Sequence, residues 1–239
     1  MELKPTDIGY MTDNNIRTLI TYKDILLDRN KIKRKVERIV KRSFDIAGGI
    51  AGVLALIPLT IGLYIAKIIL GDKGPLFYCQ DRIGKNGKIF KMYKYRSMCV
   101  DADKKLKNYL EENEEAKKEY KKYKKLKHDP RVTKIGNFIR KTSIDEFPQF
   151  FNVLKGDMSI VGPRPYLERE KDDMTYYYNY IVSCKPGITG YWQTSGRSDV
   201  TFEDRLHMDM DYLRKQNLIT DLKIVKKTVE GCVKKEGAI

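Results

Sequence analysis

Hydrophobic and polar residues are unevenly distributed along the chain, and one long stretch carries no charge. Residues 46–66 read IAGGIAGVLALIPLTIGLYIA, in a chain of 239 residues of which 33% are charged. About 20 consecutive apolar residues suffice for a helix to cross a bilayer, whereas soluble helices of this length usually keep one polar face. The pattern therefore favours a membrane helix over a buried core helix.

Pro58 lies near the middle of this stretch and, inside a helix, predicts a kink or a break. Both flanks are basic, with KIKRKVERIVKR before the stretch and KNGKIFKMYKYR after it. Lys and Arg beside a membrane segment favour the cytoplasmic side, and both flanks can stay there only if the chain turns back. We therefore predict a re-entrant membrane helix over residues 44–70, broken at Pro58, with both ends cytoplasmic.

The basic segment before the apolar stretch has helical spacing, with lysine and arginine opposite one apolar face. That face comprises Ile32, Val36, Ile39 and Val40. The pattern predicts an amphipathic interfacial helix on anionic membrane lipids. An ordinary surface helix has the same pattern, so the segment alone leaves both interpretations open.

Downstream of the membrane segment, the pattern predicts a mostly helical α+β fold with one small β-hairpin. Asn86-Gly87 is a strong turn signal between two aromatic and aliphatic runs. Residues 101–127 are crowded with Lys, Glu and Tyr, and they predict one solvated helix. The C-terminal segment has the spacing of an amphipathic helical region that packs on the domain.

The charge balance points to an anionic partner. Lysine and arginine total 47 against 32 acidic residues, which gives a formal net charge of +15. Such an excess suits nucleic acid, anionic lipid or a phosphorylated substrate. The four cysteines and two histidines show no metal-site spacing, which argues against a structural zinc site.

Two carboxylates stand side by side in RKTSIDEFPQF, residues 140–150, directly after a basic pair. Ser143 to Glu146 reads as a capping box, in which Ser143 caps a helix and Glu146 reaches back. Acidic residues also suit the positive end of a helix dipole. On the local pattern alone, capping and chemistry are both open interpretations of Asp145 and Glu146.

Two predicted loops each present an arginine. In GDMSIVGPRPYLERE, Pro163 and Pro165 pin the backbone on either side of Arg164. A guanidinium held in this way can grip phosphate oxygens through two parallel hydrogen bonds; the alternative is a rigid turn with a solvated arginine. KPGITGYWQTSGRSD is a second glycine-rich loop, and it carries Arg197.

Five strings, in this order, resemble the bacterial sugar transferases of exopolysaccharide and O-antigen assembly, the monotopic polyprenyl-phosphate phosphoglycosyl transferases. They are KRSFDIAGG, GPLFYCQDRIGKNGKIFKMYKYRSM, DPRVTKIGNFIRKTSIDEFPQFFNVLKGDMSIVGPRP, KPGITGYWQTSGRSD and DLKIVKKT. The resemblance implies a variable N-terminal region, 1–35, followed by a single phosphoglycosyl transferase domain, 36–239. Larger members carry further membrane spans before this domain, so we expect the catalytic unit alone.

The resemblance implies transfer of a sugar 1-phosphate from a UDP-sugar to undecaprenyl phosphate, with release of UMP and with Mg²⁺ as cofactor. It implies a catalytic pair that falls on Asp145 and Glu146, with Asp145 forming an aspartyl phosphosugar. Glu146 would act as a base or help to hold Mg²⁺, and the same pair is the candidate metal site. The expected attachment is to the cytoplasmic face of the cytoplasmic membrane.

Further residues are expected to bind the phosphorylated substrates. The expected phosphate-binding residues are Arg82, Arg140 and Arg164, and the expected nucleotide contact is Arg197. The GYWQTSGRSD string is closest to relatives that transfer galactose phosphate or glucose phosphate. One departure concerns the helix break: many relatives have serine before the proline, and here Ile57 occupies that position.

Two other classes of protein share part of this pattern. A basic RNA-binding protein could use KMYKYR as an aromatic-basic surface, but it would have no use for an uncharged segment of this length. A non-catalytic membrane-anchored scaffold would keep that segment, but it would not need Asp145 and Glu146 close to Arg140. Nucleic acid is therefore not an expected partner, and release of UMP separates an enzyme from a scaffold.

Overall fold

A helix of 39 residues, α1 (Lys31–Ile69), opens the part of the chain that the structure describes. This computed structural model describes residues 31–72, 74–123, 126–195 and 200–234. The other helices in these ranges are α2 (Ala102–Glu112), α3 (Glu114–Tyr123), α4 (Lys134–Lys141), α5 (Gln149–Lys155), α6 (Tyr177–Ile181), α7 (Tyr191–Ser195), α8 (Phe202–Lys215) and α9 (Leu218–Lys234). The strands are β1 (Phe77–Ile83), β2 (Ile89–Tyr95), β3 (Ser159–Val161) and β4 (Gly187–Thr189). The predicted class, α+β and mostly helical, is confirmed.

One face of α1 packs against the rest of the protein, and the opposite face is exposed and apolar. The packed face has helical spacing and comprises Asp45, Gly49, Gly52, Leu56 and Leu63. The exposed face comprises Ile46, Ile50, Leu54, Ile57, Ile61, Ile65 and Ile68. By length and composition α1 is able to cross a membrane. A continuous exposed row of large apolar side chains suggests membrane association, because it is costly to keep in water.

Glycines on the packed face allow α1 to lie close to α5. A Cβ on Gly52 would lie 2.2 Å from the Phe150 ring, and a Cβ on Gly49 would lie 2.6 Å from Leu154. Neither position has room for a side chain, so the two glycines are explained by close helix packing rather than by flexibility.

α1 runs without interruption through Pro58, so the predicted break of the helix at this residue is not found. Proline removes one intrahelical hydrogen bond and crowds the preceding turn, and a long helix can absorb both effects as a local bend. Leu56 and Leu63, on either side of the proline, belong to one hydrophobic cluster with Tyr95 and Ile139. Tertiary packing therefore offsets the local cost of the proline.

β1 and β2 form the predicted hairpin. The strands are antiparallel, with Ile83 opposite Ile89 at the turn. Asn86 and Gly87 have left-handed φ angles of 59° and 76°, a backbone region that asparagine and glycine adopt most readily. The turn signal is thus confirmed at the two residues that carry it.

β3 and β4 form a short parallel pair inside two segments that the sequence predicts to be loops. Ser159 pairs with Gly187, and Val161 pairs with Thr189. β3 leads directly into the segment 163–165, the Pro-Arg-Pro segment. The strand pair therefore fixes the point at which this segment leaves the core.

Two buried polar contacts join α1 to β3 and α9. Asp45 is 3% exposed, and its carboxylate accepts hydrogen bonds from the Ser159 hydroxyl at 2.8 Å and the Ile160 backbone N–H at 2.9 Å. Lys41 forms an ion pair with the buried carboxylate of Asp221 at 2.5 Å. Such partners are needed because a buried charge without one is strongly destabilising.

Two helices, α2 and α3, replace the single solvated helix predicted over residues 101–127. The break falls at Asn113, whose φ is −135° and whose side-chain oxygen accepts a hydrogen bond from Ala116 N–H at 2.9 Å. This is N-cap geometry, and asparagine favours it. The two helices share a small hydrophobic cluster that includes Leu106 and Leu126.

Asp45→Ala should destabilise the protein, because Ser159 and Ile160 would lose their acceptor inside the structure. Two buried donors without a partner cost about 2–5 kcal/mol together, which should lower the melting temperature in detergent by about 5 °C or more. The matched control is Asp81→Ala, which removes an exposed carboxylate 3.4 Å from Lys91 and should shift the melting temperature by less than about 2 °C. Equal melting temperatures for wild type and Asp45→Ala would show that this contact does not stabilise the fold.

Candidate active site

A cavity of about 1140 Å³ lies between the β-hairpin, the Pro-Arg-Pro segment, α1 and α2. Five of the six predicted site residues line it: Arg82, Arg140, Asp145, Glu146 and Arg164. The sixth, Arg197, lies outside the described residues. The fold thus brings together predicted site residues from three separate segments of the chain, around positions 82, 140–146 and 164.

Asp145 and Glu146 lie in a short 3₁₀ turn, Ile144–Glu146, and not in the first turn of an α-helix. Ser143 has a left-handed φ of 56°, and its side chain makes no capping hydrogen bond. An N-cap needs a residue with extended backbone, so the capping-box interpretation is wrong. The carboxylate of Glu146 instead accepts a hydrogen bond from Nζ of Lys94, on β2, at 3.1 Å.

The carboxyl group of Asp145 is half-buried and lies near two cations, Lys94 and Arg140. Desolvation raises the pKa of its carboxyl group to about 6, and Glu146 acts in the same direction. Lys94 and Arg140 oppose this shift because they favour the charged form. At neutral pH this half-buried carboxylate is therefore mostly ionised and only partly exposed to water, which suits a nucleophile.

Arg82, on β1, is a buried cation in the wall of the cavity. Its Nη1 donates to the carbonyl of Pro165 at 2.9 Å and its Nη2 donates to Gln80 at 2.6 Å, so it also supports the Pro-Arg-Pro segment. Its Nε is buried without a hydrogen-bond partner. Burial, followed by repulsion from Arg164, lowers the pKa of Arg82 to about 10, which leaves the group charged at neutral pH.

The Pro-Arg-Pro segment is also held by α8. Asp209 is fully buried, and its carboxylate accepts from Arg164 N–H at 3.1 Å and from the Tyr166 hydroxyl at 2.8 Å. Burial raises the pKa of Asp209 to about 7. The guanidinium carbon of Arg164 lies 5.4 Å from the centroid of the Trp192 ring, within cation–π range. Arg164 is therefore a fixed part of the cavity wall and not a solvated turn residue.

Among the cavity-wall residues that the sequence did not predict for the site are Lys94, Trp192 and Arg205. Trp192 is the only tryptophan in the chain. Its position in a glycine-rich segment could have marked it as a site residue. Lys94 pairs with a residue far away in sequence, so no local pattern marks it. Arg205 lies in an amphipathic helix, where an arginine is normally a surface residue.

Asp145 and Glu146 fit a magnesium ion that is shared with a phosphorylated substrate. Across the ranges that the structure describes, no group of three or more His, Cys, Asp or Glu side chains could hold a metal by itself. Mg²⁺ is commonly bound by one or two carboxylates together with substrate phosphates and water. Two adjacent carboxylates in a cavity lined by arginines meet this pattern.

Comparison with known proteins shows what the chain is similar to. Residues 36–235 match the family model described as bacterial sugar transferase. The undecaprenyl-phosphate galactose phosphotransferase of Salmonella typhimurium is 41% identical over 100% of this chain and 48% of its own length. The exopolysaccharide production protein ExoY of Sinorhizobium fredii is 40% identical over 86% of this chain and 90% of its own length. The UDP-glucose:undecaprenyl-phosphate glucose-1-phosphate transferase of Escherichia coli K12 is 37% identical over 84% of this chain and 42% of its own length.

The chain spans about half the length of two of these curated relatives, the phosphotransferase of Salmonella typhimurium and the transferase of Escherichia coli K12, and most of the length of ExoY. The matched region, 36–235, contains every residue that the sequence analysis assigns to the site. The resemblance found from the sequence strings is therefore confirmed, and the chain belongs to the bacterial sugar transferase family.

Proposed function

We propose that this protein transfers a sugar 1-phosphate from a UDP-sugar to undecaprenyl phosphate and releases UMP, as the first membrane step of polysaccharide assembly. The observation that carries the proposal is the half-buried carboxylate of Asp145, in one cavity with Arg82, Arg140 and Arg164 and beside an apolar helix. The names of two relatives, a galactose phosphotransferase and a glucose-1-phosphate transferase, support galactose 1-phosphate or glucose 1-phosphate as the transferred group.

The reaction proceeds in two displacements at one phosphorus atom. First, a carboxylate oxygen of Asp145 attacks the phosphorus that bears the sugar, the bond to the bridging oxygen breaks, and UMP leaves with that oxygen. An aspartyl phosphosugar results. A phosphate oxygen of undecaprenyl phosphate then attacks the same phosphorus, releases the Asp145 carboxylate and forms undecaprenyl diphosphate sugar.

Arginines make this attack possible, because an anionic nucleophile and a diphosphate repel each other. Arg82, Arg140 and Arg164 line the same cavity as Asp145. A guanidinium can donate two hydrogen bonds to phosphate oxygens, and it remains charged throughout the reaction. These residues would bind the diphosphate in the ground state and neutralise the charge that spreads over its oxygens in the transition state.

Glu146 is best suited to hold Mg²⁺ together with Asp145, since neither displacement needs a general base. The carboxylate nucleophile is ionised, and a phosphate monoester, whose second pKa is about 6, is mostly dianionic at neutral pH. Lys94, 3.1 Å from Glu146, would orient that carboxylate. When bound, Mg²⁺ would neutralise charge on the phosphate oxygens.

The proposal includes attachment to the cytoplasmic face of the cytoplasmic membrane. Within its first half, α1 is tied to the domain through Arg42, whose guanidinium donates to the carbonyls of Val153 and Leu154 at 2.7 and 2.8 Å. Within its second half it is tied again, because the hydroxyls of Thr60 and Tyr95 lie 2.6 Å apart. Between these two contacts, α1 lies along the domain. This supports a monotopic arrangement in which the exposed apolar face of α1 enters the membrane.

The first test measures UMP release from UDP-galactose and UDP-glucose by the full chain in detergent with undecaprenyl phosphate and Mg²⁺. Asp145→Asn should lower the rate by about a thousandfold or more, because the amide is not a nucleophile. Asp157→Asn, a surface carboxylate paired with Lys155, should keep wild-type activity. Absence of UMP release by the wild type with any UDP-sugar would favour a non-catalytic scaffold, and full activity in Asp145→Asn would remove the nucleophile assignment.

Lys94→Met should lower kcat/KM by about tenfold, the effect of losing one charge-assisted contact of about 1.4 kcal/mol. The physical reason is that Glu146 would lose its cationic partner and Asp145 would lose a nearby positive charge. Lys91→Met, on the same strand but in an exposed pair with Asp81, is the matched control. Similar kcat/KM values for both variants would rule out a role for Lys94 in the site.

Cysteine labelling in intact cells tests the membrane arrangement. Single cysteines replace Thr12 and Lys234 in turn, on a background without the native cysteines. Both positions should resist a membrane-impermeant reagent until the cells are opened. Labelling of position 12 from outside would mean that the chain crosses the membrane and that the monotopic arrangement is wrong.

A further inference from the structure

A further guanidinium of the cavity wall comes from α8. Arg205 is 2% exposed, one of the largest fully buried side chains in the described residues, and it lines the same cavity as Asp145. A buried arginine normally has a carboxylate or a full set of hydrogen bonds to offset the loss of hydration. The hydrogen-bond and ion-pair partners of Arg205 therefore indicate the role of its side chain.

The hydrogen bonds of Arg205 leave it incompletely satisfied. Its Nη2 donates to the carbonyl of Tyr123 and, at 3.4 Å, to that of Val200. Its Nε is buried without a hydrogen-bond partner. Among the ion pairs of the described residues, none within 4.0 Å involves Arg205. Buried Glu170 and Asp209 lie near enough to favour the charged form of Arg205, but neither makes an ion pair with the guanidinium within that distance.

A second guanidinium shares the aromatic ring that Arg205 contacts. The guanidinium carbons of Arg205 and Arg164 lie 5.5 and 5.4 Å from the centroid of the Trp192 ring. Burial, followed by repulsion from Arg164, lowers the pKa of Arg205 to about 10. Repulsion from Arg164 also lowers the pKa of Arg82. Of these three cations, Arg82 and Arg205 are buried and Arg164 is half-buried. Cations that repel one another at such positions form a site suited to a polyanion.

We propose that Arg205 binds the diphosphate of the nucleotide sugar, together with Arg82 and Arg164. This inference rests on the proposed function and deepens it, because it adds a substrate-binding residue from a separate helix. Arg205 and Asp209 are four residues apart and therefore lie on one face of α8. On that face, Asp209 fixes the backbone of Arg164, and Arg205 would supply a further donor to the phosphates.

The alternative is that Arg205 has only a structural role, as a donor to the carbonyl of Tyr123 at the end of α3. In that role its removal would lower the melting temperature without changing affinity for a phosphorylated ligand. In the proposed role its removal weakens binding of the diphosphate specifically. Measurements of stability and of ligand affinity therefore separate the two.

The test is calorimetric titration of UDP into the full chain in detergent. Arg205→Gln should raise the Kd for UDP at least tenfold, because a buried charge-assisted contact to a phosphate is lost. Arg205→Lys should lie between this variant and the wild type, since lysine keeps the charge but not the planar fork. Arg214→Gln, which removes an arginine paired with Asp211 on the same helix, should leave the Kd within about twofold.

A Kd for UDP in Arg205→Gln within twofold of wild type would overturn the proposal, whatever the melting temperature. If that variant does not fold, Arg205→Lys decides: a wild-type Kd overturns the proposal, and a Kd raised severalfold at an unchanged melting temperature supports it. UDP binding is measured without turnover. If the wild type binds UDP but releases no UMP from any UDP-sugar, the proposed reaction is contradicted. The effect of Arg205 on UDP affinity can still be interpreted in that case.

Discussion

The buried carboxylate of Asp45 joins the apolar helix α1 to β3, and the arrangement of the candidate site depends on this contact. Ser159 and Ile160 donate to it, and the strand that contains them leads directly into the Pro-Arg-Pro segment. The exposed apolar helix and the Pro-Arg-Pro segment are thereby joined through one buried contact. For a reaction between a soluble nucleotide sugar and a lipid phosphate, this coupling would bring both substrates to the same carboxylate.

The site concentrates positive charge around one half-buried carboxylate. Burial, followed by repulsion from Arg164, lowers the pKa of Arg82 to about 10, which leaves Arg82 charged at neutral pH. Under the proposed function, a bound diphosphate would relieve this repulsion between the two guanidinium groups. Asp209 of α8 accepts from the backbone N–H of Arg164, and the carbonyl of Pro165 accepts from Arg82 of β1, so binding of an anion there would need little reorganisation.

The sequence predicted those features that have a local cause. Asn86-Gly87 produces its turn through backbone preference, and the uncharged row of α1 follows from composition. Features that depend on tertiary contacts were missed. α1 continues through Pro58 because it packs against the domain on both sides of this residue. The backbone of Ser143 is left-handed, so the capping box that the sequence pattern predicts does not form. At the site, five residues came from the family strings, whereas Lys94 and Arg205 are recognisable only from what they lie against in three dimensions.

The most direct test of the account is intact-protein mass spectrometry after incubation with a UDP-sugar and Mg²⁺ in the absence of undecaprenyl phosphate. The account predicts a mass increase of one sugar phosphate, located on the peptide that contains Asp145 and absent from Asp145→Asn. Addition of undecaprenyl phosphate should remove the adduct and yield the lipid-linked sugar. Turnover with acceptor but no adduct without it, or an adduct on another residue, would contradict the covalent role of Asp145.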